Sequence, residues 1–339
     1  MKARGLAILR LLRVSLGWLL LLVALAWAFG ALWFDFPIGS GRRPIALLFL
    51  IGTILAFFLL RPRWRAKLAV IALLGLIAAW WLTLKPDENR DWQPDVSRTA
   101  WAEINGDNVT LHNVRNFDYR TESDYTPHWE TRSVRLSQLT GFDFAMGYWG
   151  SPWMAHPIAS FRFADASPLC FSNEVRKVVG QQFSAIASLY RQAQLIYIVA
   201  DERDVIRVRT NYRHGEEVYL YRVVASPQQV RERFLEYLAT LNGLHLHPEW
   251  YNVLTTNCTT TIRNQHPASE RMPWDWRLLL NGKADEMMYQ RRLIATAGLP
   301  FTELKKRSWI NPQARAANQD PDFSRRIRQG LPTFSNTTR

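Results

Sequence analysis

The hydrophobic positions of the chain are concentrated in its first quarter. Residues 14–34, 44–60 and 68–84 are uncharged and mostly apolar, and Asp35 is the only acidic residue before residue 86. A helix needs about 20 apolar residues to cross a hydrocarbon core of roughly 30 Å. The pattern therefore predicts three transmembrane helices in residues 1–85. A cleaved signal peptide is the alternative for the first stretch, but two further apolar stretches follow it.

Basic residues flank these stretches unequally, which predicts their orientation. Four basic residues precede the first stretch: Lys2, Arg4, Arg10 and Arg13. Four more separate the second stretch from the third: Arg61, Arg63, Arg65 and Lys67. The loop between the first and second stretches carries only Arg42 and Arg43. Cytoplasmic loops carry the excess of positive charge. We therefore expect a cytoplasmic N-terminus, with residues 86–339 on the outer face of the membrane.

The pattern changes to that of a globular domain after residue 85. Residues 86–100 are polar and predict a short tether. Alternation predicts strands at residues 108–114, 155–163, 169–176, 195–200 and 217–224. Helical spacing predicts a helix capped by Ser226, a second from Asn257, and others at 274–281, 284–297 and 300–307, with a loosely ordered tail after residue 313. The sequence thus predicts an α+β domain at 101–330, which is long enough to bury a core, and a flexible tail at 331–339.

Charge and cysteine content exclude several classes of protein. The net charge is +13, but part of it flanks the apolar stretches and the rest is scattered, which argues against nucleic acid and favours an anionic lipid surface. Only Cys170 and Cys258 are present, without metal-ligand spacing. We therefore expect neither a disulfide scaffold, nor a metal site, nor a cofactor.

The most informative candidate for chemistry is Cys258, which lies in a Thr- and Asn-rich run at residues 251–263. With Asn257 or Thr256 as the cap, the thiol would stand at a positive helix end, where thiolates are stabilised and a backbone amide can support an oxyanion. A structural disulfide with Cys170 is the alternative.

A base for this thiol has to come from one of seven histidines. His156 begins an alternating strand behind the glycine-bearing loop at residues 147–150, whereas the others fall in turns, a linker or loops beside helices. His156 is therefore the candidate general base.

Several segments resemble the Lnb N-terminal periplasmic domain family. They span most of residues 100–330 and are VRNFDYR (114–120), AHPIASFRF (155–163), FSNEVRK (171–177), LIYIVADERDVIRVRT (195–210), VYLY (218–221), YNVLTTNCTTTIR (251–263) and DPDFSRRIRQGLP (320–332). The family is similar to circularly permuted papain-like enzymes of the NlpC/P60 kind and takes its name from a bacterial lipoprotein N-acyltransferase. The resemblance implies a papain-like antiparallel sheet with packed helices in the periplasm, on the inner membrane.

The resemblance also implies roles for individual residues. Cys258 would be the nucleophile and His156 the base. In a permuted papain-like sheet the strand after the histidine supplies the polar group that orients it, and that strand offers Ser172, Asn173 and Glu174. Ser172 and Glu174 share a face, and we favour Glu174 because a carboxylate also stabilises an imidazolium. The alternative for Glu174 is an ion pair with Arg176 or Arg115.

Two other motifs have open interpretations. The acidic cluster at residues 201–204 is either a charged rim of the site or a solvated strand end with local ion pairs. Trp149 and Trp153 either line an acyl-chain entrance or pack in the core.

Together these features predict a membrane-anchored periplasmic thiol acyltransferase that acts on phospholipid or lipoprotein acyl chains, including lipoprotein N-acylation through a Cys258 thioester. A thiol peptidase or amidase acting on the cell envelope is one alternative. A non-catalytic envelope protein is the other. A polar groove would favour the hydrolase, whereas an apolar channel would favour the acyltransferase.

Overall fold

The chain forms two compact units in the computed structural model, which describes residues 2–266, 271 and 273–332. The first unit comprises Met1–Asp87 and Phe183–Gln192, and the second comprises Glu88–Gln182 and Ala193–Arg339. The segment expected to be a tether packs on the second unit from residue 88 onward. Trp92 is buried there, and the Gln93 N–H donates to the Lys177 carbonyl at 2.9 Å.

The first unit is built from three helices: α1 (Lys2–Asp35), α2 (Arg42–Leu59) and α3 (Arg63–Thr83). Each is long and apolar enough to cross a membrane, which confirms the three apolar helices expected from the sequence. Small residues allow the helices to approach one another, because Ala28 and Ala31 of α1 and Ala46 of α2 are fully buried in one cluster.

The segment Phe183–Gln192 joins this unit through the end of α1. Asp35 accepts hydrogen bonds from the Trp81 indole at 2.6 Å and from the Arg191 N–H at 3.1 Å. Gly30 faces the hydroxyl of Tyr190 and has no room for a Cβ. The only acidic residue of the apolar region therefore has a structural partner on a segment distant in sequence.

The second unit contains ten strands in the residues that the structure describes. They are β1 (Trp101–Asn105), β2 (Asn108–Arg115), β3 (Asp118–Tyr119), β4 (Tyr125–Thr126), β5 (Trp129–Arg135), β6 (Leu139–Tyr148), β7 (Ala155–Phe163), β8 (Leu169–Arg176), β9 (Gln194–Asp201) and β10 (Glu217–Arg222). Eight of them form one sheet in the order β1-β2-β9-β8-β7-β6-β10, with β5 on β2. Its pairs are antiparallel except β2 with β9. The unit is therefore a mixed α/β structure with an antiparallel-rich sheet, and β7 and β8 occupy the predicted residues.

The remaining helices cover the two faces of this sheet. They are α4 (Glu202–Arg207), α5 (Pro227–Leu246), α6 (Cys258–Asn264), α7 (Ala284–Gln290), α8 (Phe301–Arg307), α9 (Asn311–Ala316) and α10 (Phe323–Arg326). Helix α5 starts at the predicted cap, where Ser226 forms a capping box with Gln229. Its apolar side packs on one face with Phe161 and Phe171, whereas α4, α9 and α10 pack on the other with Ile158 and Cys170.

Three expectations for the C-terminal third are wrong. The helix predicted at 274–281 is replaced by two 3-10 turns, Trp276–Leu278 and Asn281–Lys283, and the helix predicted at 284–297 ends at Gln290. The tail after residue 313 is folded, because Phe323 and Ile327 are fully buried in the core. Short helices carry too few apolar positions to show a clear helical period, so the sequence pattern does not fix where they begin and end. Residues 333–339 of the predicted flexible tail lie outside the described part of the chain.

The acidic cluster at residues 201–204 forms buried ion pairs, so neither interpretation of it was correct. Glu202 accepts hydrogen bonds from Arg328 at 2.6 and 2.8 Å, and the same guanidinium donates to Asp143 at 2.7 Å. Asp204 pairs with Arg115 at 2.7 Å. These carboxylates are at most 1% exposed on their side chains, so the arginines are needed to compensate their charge.

Replacing Arg328 by alanine should destabilise the second unit strongly. Removing one partner of a buried ion pair leaves uncompensated charge and costs roughly 3–5 kcal/mol. Arg325→Ala is the matched control, because its ion pair with Asp322 is exposed to solvent and such pairs contribute little to stability. Urea unfolding of the detergent-solubilised full chain, followed by circular dichroism, measures both. Equal urea midpoints for the two variants would contradict a stabilising role for the buried ion pairs of Arg328.

Candidate active site

Cys258 is the first residue of α6, and Asn257 caps that helix as the sequence predicted. The Asn257 side-chain oxygen accepts hydrogen bonds from the N–H groups of Thr259 at 3.0 Å and Thr260 at 2.9 Å. Its amide nitrogen donates to the Val253 carbonyl at 2.8 Å. Both ends of the Asn257 amide thus hold the turn that presents the thiol.

The sulfur of Cys258 has two side-chain partners. Asn281 Nδ2 donates to Sγ at 3.1 Å, and Thr259 Oγ1 lies 3.7 Å from Sγ. The carbonyl oxygen of the Asn281 side chain accepts a hydrogen bond from the Ala155 N–H at 2.9 Å. Because Ala155 precedes His156 at the start of β7, Asn281 links the cysteine helix to the histidine strand.

His156 is held from the side of the neighbouring strand. Its Nε2 lies 2.7 Å from Ser172 Oγ and 3.2 Å from Glu174 Oε1. The Ser172 hydroxyl donates to Glu174 at 2.7 Å, so its oxygen can only accept from His156. This chain of hydrogen bonds places the imidazole proton on Nε2 and leaves Nδ1 with its lone pair. The prediction that Ser172 and Glu174 share a face is confirmed.

Glu174 is paired with a buried arginine. Arg209 donates to Glu174 Oε1 at 2.9 Å and to Glu216 Oε1 at 2.7 Å. Arg176 and Arg115, the partners considered for Glu174, form ion pairs with other carboxylates. Glu174 therefore faces His156 on one side and a fixed positive charge on the other.

The electrostatics of the site favour a neutral thiol. Burial raises the pKa of the Cys258 thiol, the charge of Glu174 raises it further, and the hydrogen bonds from Thr259 and Asn281 offset this only in part. Burial also lowers the pKa of His156, against the attraction of Glu174. Although burial alone would raise the pKa of Glu174, the charges of His156 and Arg209 hold it well below its usual range. The expected resting thiolate is therefore replaced by a protonated thiol.

Two other predicted residues lie away from this cluster. Asn173 points to the opposite face of β8, where it is buried and pairs in register with Tyr197. Cys170 is fully buried beneath the sheet, and both cysteines are free thiols. The alternative of a disulfide between Cys170 and Cys258 is therefore wrong.

Sequence reasoning missed Asn281 and Arg209. Arg209 lies on a π-helical turn, Val208–Tyr212, whose side chains show no distinctive pattern. The signal for Asn281 is the Asn-Gly dipeptide, which marks a turn. A Cβ at Gly282 would collide with the backbone of Pro152 and Trp153, so this glycine lets the turn approach the loop before β7.

A largely apolar cavity of about 460 Å³ lies beside Thr259, the residue that follows Cys258. Thr259 lines it, and its apolar wall consists of residues from several elements: Phe142, Phe144, Pro157, Met287, Met288 and Leu293. Polar side chains also line it, among them Glu232, Arg233 and Glu236. Trp149 and Trp153 are 44% and 47% exposed, so core packing is excluded for them.

Comparison with known protein families shows which family the second unit matches. Residues 125–282 match the sequence model of the Lnb N-terminal periplasmic domain. The chain carries an Lnb N-terminal periplasmic domain. No curated protein and no solved structure matches the chain. The Lnb domain starts later and ends earlier than residues 100–330, but it includes His156, Glu174, Cys258 and Asn281. With three apolar helices before it, this domain makes the chain a membrane-associated periplasmic protein.

Within residues 2–266, 271 and 273–332, no group of three or more His, Cys, Asp or Glu side chains could hold a metal ion. The polar side chains that contact Cys258 and His156 are Asn281, Thr259, Ser172 and Glu174.

Alkylation should distinguish the two cysteines of the Lnb domain and report the thiol pKa. We expect iodoacetamide to modify Cys258 and not the fully buried Cys170 in the folded chain. Because the pKa of Cys258 is raised, its thiolate fraction at neutral pH is small, and the rate should still be rising above pH 9. Peptide mass spectrometry across pH measures this, with Cys258→Ser as the control. A rate that levels off below pH 7 would contradict a neutral resting thiol.

Proposed function

We propose that this protein is a membrane-anchored thiol acyltransferase that forms a thioester on Cys258 and passes the acyl group to an amine. The apolar cavity carries this proposal, because Thr259 both lines the cavity and neighbours the nucleophile. The acceptor class, a lipoprotein amino terminus, comes from the resemblance to the Lnb family. The permuted papain-like arrangement, with the histidine strand before the cysteine helix, is part of the same proposal.

The cavity favours an acyl substrate over a peptide. Its volume lies within the ~300–1,000 Å³ typical of small-ligand pockets, and its wall is mainly aromatic and aliphatic. A peptidase would need polar groups along the groove to bind peptide amides, whereas most of the residues that line this cavity are apolar. Trp149 and Trp153, near the loop before β7, and Trp276, in the turn Trp276–Leu278, are exposed and add apolar surface. Exposed apolar surface is expected for a site that receives lipid chains.

In the first half-reaction, Cys258 attacks the carbonyl carbon of an acyl ester. His156 Nδ1 accepts the S–H proton as the carbon–sulfur bond forms, and the carbonyl π electrons move to oxygen. When the tetrahedral intermediate collapses, the carbon–oxygen bond of the ester breaks and His156 returns the proton to the leaving alkoxide. The products are a Cys258 thioester and an alcohol.

In the second half-reaction, an amine attacks the thioester carbon. A carbon–nitrogen bond forms, His156 accepts a proton from the amine nitrogen, and the carbon–sulfur bond breaks. The proton then returns to the sulfur, which regenerates the neutral thiol. Glu174, held ionised by Arg209, stabilises the imidazolium through Ser172 in both half-reactions.

Loss of Cys258 should remove N-acylation of lipoproteins in cells. Mass spectrometry of lipoprotein amino termini compares a deletion strain complemented with the wild type, with Cys258→Ser or with Cys170→Ala. We expect the N-acyl group with the wild type and with Cys170→Ala, which lies outside the site, and a free amine with Cys258→Ser. Unchanged amino termini in the deletion strain would refute lipoprotein acylation. Full complementation by Cys258→Ser would show a non-catalytic protein.

Filling the cavity should change the acyl-chain preference. Val224 lines the cavity and is 46% exposed, whereas Val179 is 56% exposed and does not line it. We expect Val224→Trp to shift thioester formation toward shorter chains, and Val179→Trp to leave the preference unchanged. Intact-protein mass spectrometry after incubation with esters of different chain length measures both variants. Identical chain-length profiles would argue against this cavity as the acyl site, and release of free acid without transfer would indicate the hydrolase.

A further inference from the structure

We propose that Asn281 is a catalytic residue whose side-chain N–H stabilises the oxyanion of the tetrahedral intermediate on Cys258. This inference rests on the proposed thiol chemistry and adds a residue that the sequence did not indicate. It concerns any acyl donor, because the oxyanion forms whatever the chain length or the leaving group.

The position of the Asn281 amide supports this role. Its Nδ2 lies 3.1 Å from Cys258 Sγ and 3.1 Å from Thr259 Oγ1, so it stands between the nucleophile and the residue that lines the cavity. An oxyanion formed on Cys258 is separated from the sulfur only by the former carbonyl carbon. It therefore develops within the reach of a donor that already contacts the sulfur.

The orientation of the amide is fixed by the backbone. The Ala155 N–H can only donate, so the atom that it faces must be Oδ1, and Nδ2 must face the sulfur. The following residue, Gly282, donates to the Trp153 carbonyl at 3.0 Å, and its own carbonyl accepts from the Tyr148 hydroxyl at 3.1 Å. The donor is therefore preorganised, which is what makes oxyanion stabilisation effective.

The oxyanion of the proposed reaction needs a hydrogen-bond donor to stabilise its charge. In the reaction, the carbonyl π electrons become an oxygen-centred charge, and the charge of Glu174 opposes negative charge at Cys258. The side chain of Asn257 is engaged by the helix cap and the Val253 carbonyl. The Asn281 amide is neutral at every pH and so can donate throughout the reaction.

Two probes separate this role from simple positioning of the thiol. Alkylation by iodoacetamide is a displacement at saturated carbon and needs the thiolate but no oxyanion. Acylation by a p-nitrophenyl ester needs both. The full chain in detergent is treated with each reagent, and rates at Cys258 are compared at equal thiolate fraction, using the pH dependence of alkylation for each variant.

The variants are Asn281→Asp, which keeps the acceptor for Ala155 but removes the donor, and Asn281→Ala, which adds no charge. Asn242→Asp is the matched control, because the Asn242 amide also bridges backbone groups, the N–H and carbonyl of Ala102, at 2.7 and 2.8 Å. Circular dichroism verifies that each variant is folded.

We expect acylation to fall about 100- to 1,000-fold in both Asn281 variants, the usual loss on removing one oxyanion donor. Alkylation at equal thiolate fraction should stay within a few-fold of the wild type, and Asn242→Asp should match the wild type with both reagents. Equal losses with both reagents would reduce Asn281 to a positioning residue and overturn the inference, as would unchanged acylation. A wild type that is alkylated at Cys258 but never acylated would overturn the proposed function itself, and this inference with it.

Discussion

The chain of hydrogen bonds from His156 through Ser172 to Glu174 depends on one buried cation, the guanidinium of Arg209. It is 3% exposed and pairs with Glu174 and Glu216, whose charges would otherwise be unfavourable inside the protein. The sheet makes room for it, because a Cβ at Gly147 would collide with the Glu216 carboxylate and lie in contact with the Arg209 side chain. Gly147 pairs in register with His156, so the residue opposite the histidine must be the smallest one. Without this cation, the pKa of Glu174 would be less strongly lowered, and the carboxylate that accepts the hydrogen bond from Ser172 would lose its buried counter-charge.

The parts of the site that were predictable are those specified locally. Alternation along residues 155–163 and 169–176 placed two central strands at the correct residues. The antiparallel register pairs Ser172 with Ile158, two residues from the histidine, and the Ser172 side chain reaches His156 from there. The cap at Asn257 followed from the preference of asparagine for helix starts, which depends on its immediate neighbours. The prediction that His156 on the strand acts with Cys258 on the helix came from the resemblance to a family, because no local pattern connects positions about a hundred residues apart.

What could not be predicted depends on distant packing. Asn281 approaches the thiol only because a glycine beside it fits against the loop before β7, and sequence periodicity assigned that segment to a helix. The acidity of the thiol was misjudged for a related reason. A cysteine at a helix start suggests a thiolate, but α6 is a helix of only seven residues, and the surrounding burial outweighs its effect on the thiol pKa. The balance between burial and hydrogen bonding becomes known only when the neighbours are in place.

The raised pKa of Cys258 has a consequence for the chemical stability of its thiol. The periplasm favours disulfide formation, and thiolates are the species that oxidants and foreign disulfides attack. A thiol that remains protonated at rest reacts slowly with both, and burial of Cys170 removes the internal partner for an erroneous crosslink. Under the proposed function, deprotonation at the moment of attack would confine the thiolate to the substrate complex. The burial that raises the pKa of the Cys258 thiol therefore also protects this residue against sulfenic acid formation.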